Sequence, residues 1–162
     1  PLTVAQSLPD IDGMVIVTTP QQVALLDSRK SITFSESLKV PVLGVVENMS
    51  GFTVNGSAAP GTEVSIAAPG GKTLSATADD QGNFSVTLDI FKEGGGKDTA
   101  EEFGVPFLGA LPFDPGFVRG GDDGVHRIVS EPDGASAQAF AKVVAAIQDQ
   151  LSDGADSGLE II

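Results

Sequence analysis

Three short apolar runs, each ending in polar or prolyl residues, constrain this chain more than any other feature. M-V-I-V-T-T (14–19), V-P-V-L-G-V-V (40–46) and V-P-F-L-G-A-L (105–111) are nearly continuous, not alternating. A strand wet on one face alternates apolar and polar residues. A strand covered on both faces does not, and double coverage is the mark of parallel sheets crossed by helices. The segments between the runs supply such helices. Pro20 suits a first helical turn with Thr19 as its N-cap, and the helix is expected to reach about Lys39 with Val23, Leu26, Ile32 and Leu38 facing inward. K-D-T-A-E-E-F-G (97–104) reads as a short helix closed by a C′ glycine. The last helix is expected to be capped by Ser136, with Phe140, Val143, Val144, Ile147 and Leu151 as one stripe and a frayed tail over 152–162. The expected fold class is α/β: a partial parallel sheet flanked by helices. Ligands in such sheets sit beyond the carboxyl ends of the strands, which here are Thr18-Thr19-Pro20, Glu47-Asn48 and Leu111-Pro112-Phe113-Asp114.

Residues 53–88 follow a different pattern, in which β-formers such as E-V-S-I and F-S-V-T-L alternate with the turn signals A-P-G, P-G-G-K and D-D-Q-G-N. Two or three antiparallel strands are expected, set into the α/β frame. Isolated hairpins are marginal in water, so this piece must lean on its host or on a partner.

Charge and composition narrow the function classes. The formal net charge is −13, and no Lys/Arg cluster is present to neutralise phosphates, so nucleic acid is not expected as a partner. There are no cysteines, which excludes disulfides, thiolate nucleophiles and Cys-ligated clusters within these residues. His126 is the single histidine; its setting G-V-H-R-I has no nucleophile elbow, so a non-catalytic role is expected. No apolar run approaches the ~20 residues of a membrane span, and no signal-peptide pattern is visible, so a cytoplasmic protein without membrane association is expected.

The flanking segments D-G-M-V-I-V-T-T-P-Q-Q-V-A-L-L-D-S-R-K (12–30), V-P-V-L-G-V-V-E-N-M-S-G-F (40–52) and G-G-G-K-D-T-A-E-E-F-G-V-P-F-L-G-A-L-P-F-D-P (94–115), in that order, resemble the Mrp-type P-loop ATPases of the ParA/MinD superfamily, which include iron–sulfur cluster carriers. The resemblance covers about 1–52 and 90–150. It implies a P-loop NTPase-like sheet and an ATP site in which the asparagine after the strand, here Asn48, contacts the adenine base. The L-P-x-D turn, here Pro112 and Asp114, is implied to lie over the same base. An amide offers a purine edge both a donor and an acceptor, and a strand end holds it rigidly.

The sequence departs from that family in three places. The family's opening Gly-rich P-loop has no counterpart here, so the chain is expected to match the C-terminal part of the family, without phosphate-gripping or catalytic residues. Two look-alikes fail: A-P-G-G-K-T (68–73) has Ile66 where the motif needs glycine, and G-G-G-K (94–97) has Phe91 there and Asp98 in place of Ser or Thr. The first is expected to be a β-turn and the second a helix start. Next, the family's C-x-x-C, which holds the cluster between two subunits, is replaced by the β-rich segment. That segment resembles part of a bacterial Ig-like repeat, from V-N-G-S-A-A-P-G-T-E-V to D-D-Q-G-N-F-S-V-T-L. Asp79, Asp80 and Asn83, like Asp122 and Asp123, are expected to be turn residues rather than calcium ligands.

The organisation expected is an ATPase-like α/β domain over 1–52 and 90–151, a β insert over 53–89 and a flexible tail over 152–162. The leading expectation is a truncated or chimeric member of the cluster-carrier family. It keeps the adenine side of the ATP site at Asn48, Pro112 and Asp114, holds no metal or cluster, and is inactive alone. The rival is a non-enzymatic interaction protein working through the insert. Partners on the first reading are a second copy of the chain or a subunit that supplies the P-loop.

Overall fold

The computed structural model describes residues 3, 7, 8, 11–68 and 70–156. In chain order the elements are β1 (Met14–Thr18), α1 (Gln22–Ser37), β2 (Val42–Glu47), β3 (Phe52–Ser57), β4 (Glu63–Ala67), β5 (Thr73–Thr77), β6 (Asn83–Leu88), α2 (Gly95–Phe103), β7 (Phe107–Ala110), α3 (Gly116–Asp123), α4 (Arg127–Ser130) and α5 (Ala135–Asp156).

The three apolar runs become the parallel sheet β1-β2-β7. Ile16 pairs with Val45, Thr18 with Glu47 and Glu47 with Ala110, which lines up the carboxyl ends. Successive β2 side chains point to opposite faces. Val45 therefore packs with Ile16, Ile32 and Ala100 beneath α1 and α2. Val46 packs with Leu108, Leu111 and Val143 beneath α5. Each of the Val, Ile and Leu side chains among them, fully buried, stabilises by about 1.5–3 kcal/mol before entropy is counted. Among the described residues β1 pairs only with β2, so its outer edge is open.

α1 corrects the sequence expectation. Its buried face is Leu25, Ser28, Ile32 and Ser35, while Val23 and Leu26 are 75% and 53% exposed. The apolar residues of α1 allow two stripes, and the sheet takes the one that carries small serines. Those hydroxyls donate to the carbonyls one turn back, Ser28 to Ala24 and Ser35 to Ser31, so burial leaves them satisfied. Thr19 is not the cap: the helix starts after Gln21, without a side-chain cap, and ends at Ser37 with Leu38 as C-cap.

α2 ends as expected, at Gly104 in the left-handed conformation with φ 64°. α5 starts at Ala135, with the Gly134 carbonyl accepting from Gln138 N–H, so Ser136 lies inside the first turn and spends its hydroxyl elsewhere. On its stripe Val143 is buried and Phe140 and Ile147 half-buried, but Val144 and Leu151 are exposed. The fraying expected from Ser152 is not seen as far as Asp156; residues 157–162 lie outside those described.

The middle segment forms four strands rather than two or three. β3 pairs antiparallel with β6 (Phe52 opposite Leu88, Ser57 opposite Asn83), and β4 with β5 (Glu63 opposite Thr77, Ala67 opposite Thr73). Ala58 N–H to Gly82 O extends the first ladder and Ala78 N–H to Thr62 O the second, so the two two-stranded ladders follow one another as a ribbon interrupted midway by turns. Its apolar residues alternate with Thr53–Thr87 and Ser65–Ser75 hydroxyl pairs on the other face. Asp79 Oδ1 accepts from Gln81 and Asn83 N–H, the turn role expected of it. Of the look-alike at 68–73, Ala68 N–H donates to Lys72 O at 2.7 Å between β4 and β5.

Candidate functional site

Beyond the carboxyl ends of the strands, two turns lie side by side. Leu111 N–H donates to Glu47 O at 2.7 Å, Ser50 N–H to Leu111 O at 2.9 Å and Phe113 N–H to Gly51 O at 2.8 Å. The E-N-M-S-G turn after β2 and the L-P-F-D turn after β7 are therefore one backbone-bonded unit. Phe113 meets Phe52 and Phe91 edge-on, with centroids 5.8 and 6.3 Å apart, which seats this unit on the base of the ribbon.

Asn48 is half-buried, and its N–H donates to Thr18 O at 2.7 Å, so it stands beside the end of β1. Its Oδ1 accepts from Met49 N–H at 2.9 Å, in a turn where Met49 has φ 58°. No partner of the Asn48 side-chain nitrogen occurs among the described residues, which leaves a donor for a ligand. Asn48 lies at one end of a cleft of about 450 Å³ that runs along β1 (Val15–Thr18) and the Ala24, Asp27, Ser28 and Ser31 side of α1. Pro112 and Asp114 line a different cavity, of about 410 Å³, with Phe52, Asn55, Arg127 and Ser136. The structure thus joins the three expected site residues through backbone but opens them to separate cavities.

Asp114 is committed within the protein. Its Oδ1 accepts from Gly116 N–H at 2.7 Å; its Oδ2 accepts from Ser136 Oγ at 2.7 Å and Arg127 Nε at 3.1 Å. Burial opposes its charge, but the bonds from Ser136, Gly116 and Arg127 outweigh that and hold the carboxyl below the usual carboxylate range. Arg127 also pairs with Glu131, and both carboxylates hold its guanidinium above its ordinary value, the hydrogen bond to Asp114 most of all. His126 is exposed and only precedes α4. Among the described residues no three His, Cys, Asp or Glu side chains cluster as metal ligands.

Sequence reasoning placed Glu47 at a strand end but assigned it no contacts or role. At 1% exposure it ends β2 with its carboxylate at the start of α2, accepting from Ser50 Oγ (2.7 Å), Gly94 N–H (3.0 Å) and Gly96 N–H (2.6 Å). Negative charge at a helix N-terminus meets unpaired N–H groups and the positive end of the dipole. G-G-G-K is therefore a helix start, as expected, and its amides already hold a carboxylate. The available signal was a carboxylate ending a doubly covered strand, with a glycine-rich helix start later in the chain.

The family model that matches the chain is ParA, described as NUBPL iron-transfer P-loop NTPase, over residues 1–81 and 77–148. An iron-sulfur cluster carrier protein of Methanocaldococcus jannaschii is 34% identical over 150 residues, covering 93% of this chain and 42% of that protein. The cytosolic Fe-S cluster assembly factor NBP35 of Eremothecium gossypii is 39% identical over 145 residues, covering 88% of this chain and 35% of that protein. The chain thus spans about two-fifths of the length of the curated relatives it matches. The cell-division ATPase MinD of Pyrococcus furiosus superimposes with a TM-score of 0.52 at 19% identity, over 85% of this chain and 43% of MinD, a likeness of fold alone. No helix among the described residues is long and apolar enough to cross a membrane. With two segments of one family model spanning most of its length and cluster carriers among its relatives, the chain belongs to the ParA family of P-loop NTPases, in the group of NUBPL-type iron-transfer proteins.

Proposed function

We propose that these residues form the base side of an ATP site in an iron–sulfur cluster carrier, without its phosphate grip and without ligands for the cluster. The observation that carries this reading is Asn48: its backbone is fixed by Thr18 and its own side chain by Met49 N–H, the amide nitrogen has no partner among the described residues, and the residue lines the strand-end part of a cleft that runs along β1 and α1. Such an amide donates to a purine ring nitrogen at little ordering cost. Pro112, on the adjoining turn, lines the separate cavity shared with Asp114. Asp114, committed to three donors, serves by holding the L-P-F-D turn in place.

No Walker-type loop occurs in residues 1–162, so phosphate contacts would come from polypeptide outside them or from a second subunit. The open edge of β1, beside Asn48, is where a further strand carrying such a loop would join. With no cysteine, these residues leave the cluster, as cargo, to ligands elsewhere. Residues 1–162 alone are then inactive in ATP hydrolysis, and the likeness to a cytosolic assembly factor favours work in the cytosol. Calorimetric titration of the chain with adenosine and with ATP tests the reading. Both are expected to bind with similar affinity, with loss in Asn48→Ala; magnesium-dependent ATP turnover, or no binding of either, would count against it.

A second reading, a binding module acting through the ribbon, is favoured by the ribbon's unpaired backbone edges, which can template pairing with another strand. Deleting 54–88 separates the two. Adenosine binding is expected to survive on the first reading, whereas partner capture would disappear on the second.

A further inference from the structure

Glu47 is the most buried charged side chain among the described residues, and the proposed contacts with the base do not use it. Its neighbours give it a job. The ribbon leaves the α/β frame immediately after Ser50-Gly51 and returns through Phe91–Gly94. One carboxylate grips both feet: Oε1 takes Ser50 Oγ on the outgoing side and Gly94 N–H on the returning side, and Oε2 takes Gly96 N–H. The site is built tightly. A Cβ on Gly96 would lie 2.9 Å from Glu47 Cβ and 3.2 Å from Thr18 Cγ2, and a Cβ on Gly51 would lie 2.8 Å from Glu93 Oε1. The residue after Glu47 is Asn48. The group that anchors the ribbon thus also fixes the backbone from which the base-facing amide projects.

We infer that Glu47 is a positioning residue: its carboxylate couples the attachment of the ribbon to the orientation of Asn48, so that a load on the ribbon is felt at the nucleotide-base cleft. The ligand-binding half of this inference rests on the function proposed above; the coupling half does not. Replacing Glu47 by Gln keeps the volume but sets an NH₂ against at least one donor, Gly96 N–H on one side or Gly94 N–H and Ser50 on the other.

The test is amide exchange and the Asn48 side-chain NH₂ resonance, followed by NMR in the intact 162-residue chain, in wild type, Glu47→Gln and Ser50→Ala. Glu47→Gln is expected to speed exchange at Gly94, Gly96 and the ribbon root (52–54, 86–88) by roughly 10- to 100-fold, the range matching one lost hydrogen bond to a charged group. It is also expected to move the Asn48 side-chain signal, while residues 63–67 and 73–77 at the ribbon's far end and the start of α5 keep wild-type rates. Ser50→Ala removes one arm only, so the ribbon root should loosen with a smaller Asn48 shift, and it decides the matter if Glu47→Gln does not fold. Wild-type rates at 94 and 96, or a loosened root with an unmoved Asn48 signal, would overturn the inference. So would uniform loss of protection across the chain, which makes Glu47 an ordinary core residue. Adenosine affinity is read in the same samples, with a severalfold loss expected in Glu47→Gln. If wild type binds no adenosine, the function proposed above fails while the exchange data still judge the coupling.

Discussion

Replacing Asp114 by Asn should cost stability at neutral pH and cost almost nothing in acid. In the folded chain the carboxylate accepts from Ser136, Gly116 and Arg127, and its side chain is 17% exposed. The isosteric amide keeps one acceptor oxygen and turns an NH₂ toward either Gly116 N–H or the Ser136 and Arg127 pair. Hydrogen bonds to charged groups contribute about 1.5–3 kcal/mol each, and the serine can rotate to accept, so losing one such bond gives about 2 kcal/mol. The Arg127 pair adds nothing to that figure, because the guanidinium touches solvent and keeps Glu131. For a domain of this size about 2 kcal/mol corresponds to roughly 4–8 °C in Tm. The pH dependence follows from linkage. Asp114 has its folded pKa below its unfolded value, so its contribution is complete above the unfolded value near the ordinary 3.8 and is lost as pH falls through the folded value. Paired urea titrations of wild type and Asp114→Asn at pH 7 and in steps toward pH 3 should show a gap that narrows with acid. Equal stabilities at pH 7, or a gap that widens in acid, would refute the hydrogen-bond assignment.

Other substitutions test the packing. Ile32→Ala, at a site with 0% exposure, should destabilise by about 2–5 kcal/mol in urea unfolding, whereas Val23→Ala, 75% exposed, should stay within about 0.5 kcal/mol. Comparable losses at both would mean α1 buries the other stripe. Gly96→Ala should cost about 1–3 kcal/mol, because the obstructing atom is the Cβ of Glu47 and not a flexible tip. Gly121→Ala, with nothing within 4 Å of the new methyl in α3, should be neutral or stabilise by up to about 1 kcal/mol. A large loss at Gly121 would show a neighbour that the structure lacks.

The parallel sheet was legible because a strand covered on both faces writes itself as a continuous apolar run, and all three runs became strands of that sheet. The α1 face was not, because Val23 and Leu26 outrank Ser28 and Ser35 in hydrophobicity. Burial of the serines depends on i−4 carbonyl bonds that a periodicity count cannot see. Ser136 looked like a cap because serine caps helices, yet its hydroxyl serves Asp114, 22 residues earlier in the chain. The candidate site was half legible: the strand ends where it is sought follow from topology, and Asn48 was singled out by the E-N-M-S-G-F resemblance, a role the titrations above test. The role of Glu47 was not legible because its partners Gly94 and Gly96 are 47 and 49 residues away and bind through backbone N–H groups, which leave no side-chain signature. The separation of Asn48 from the Pro112 and Asp114 cavity is likewise set by how two turns lie together, and no spacing encodes it.

The most direct test of the base-site reading is a two-dimensional ¹H–¹⁵N NMR titration of the intact chain with adenosine. The expected result is saturable shifts at Thr18, Thr19, Asn48, Met49 and Phe113, including the Asn48 side-chain NH₂, with the ribbon strands beyond its root unmoved and the response lost in Asn48→Ala. Shifts confined to the ribbon, or no saturable shift at any adenosine concentration the sample tolerates, would contradict a base site at the ends of this sheet.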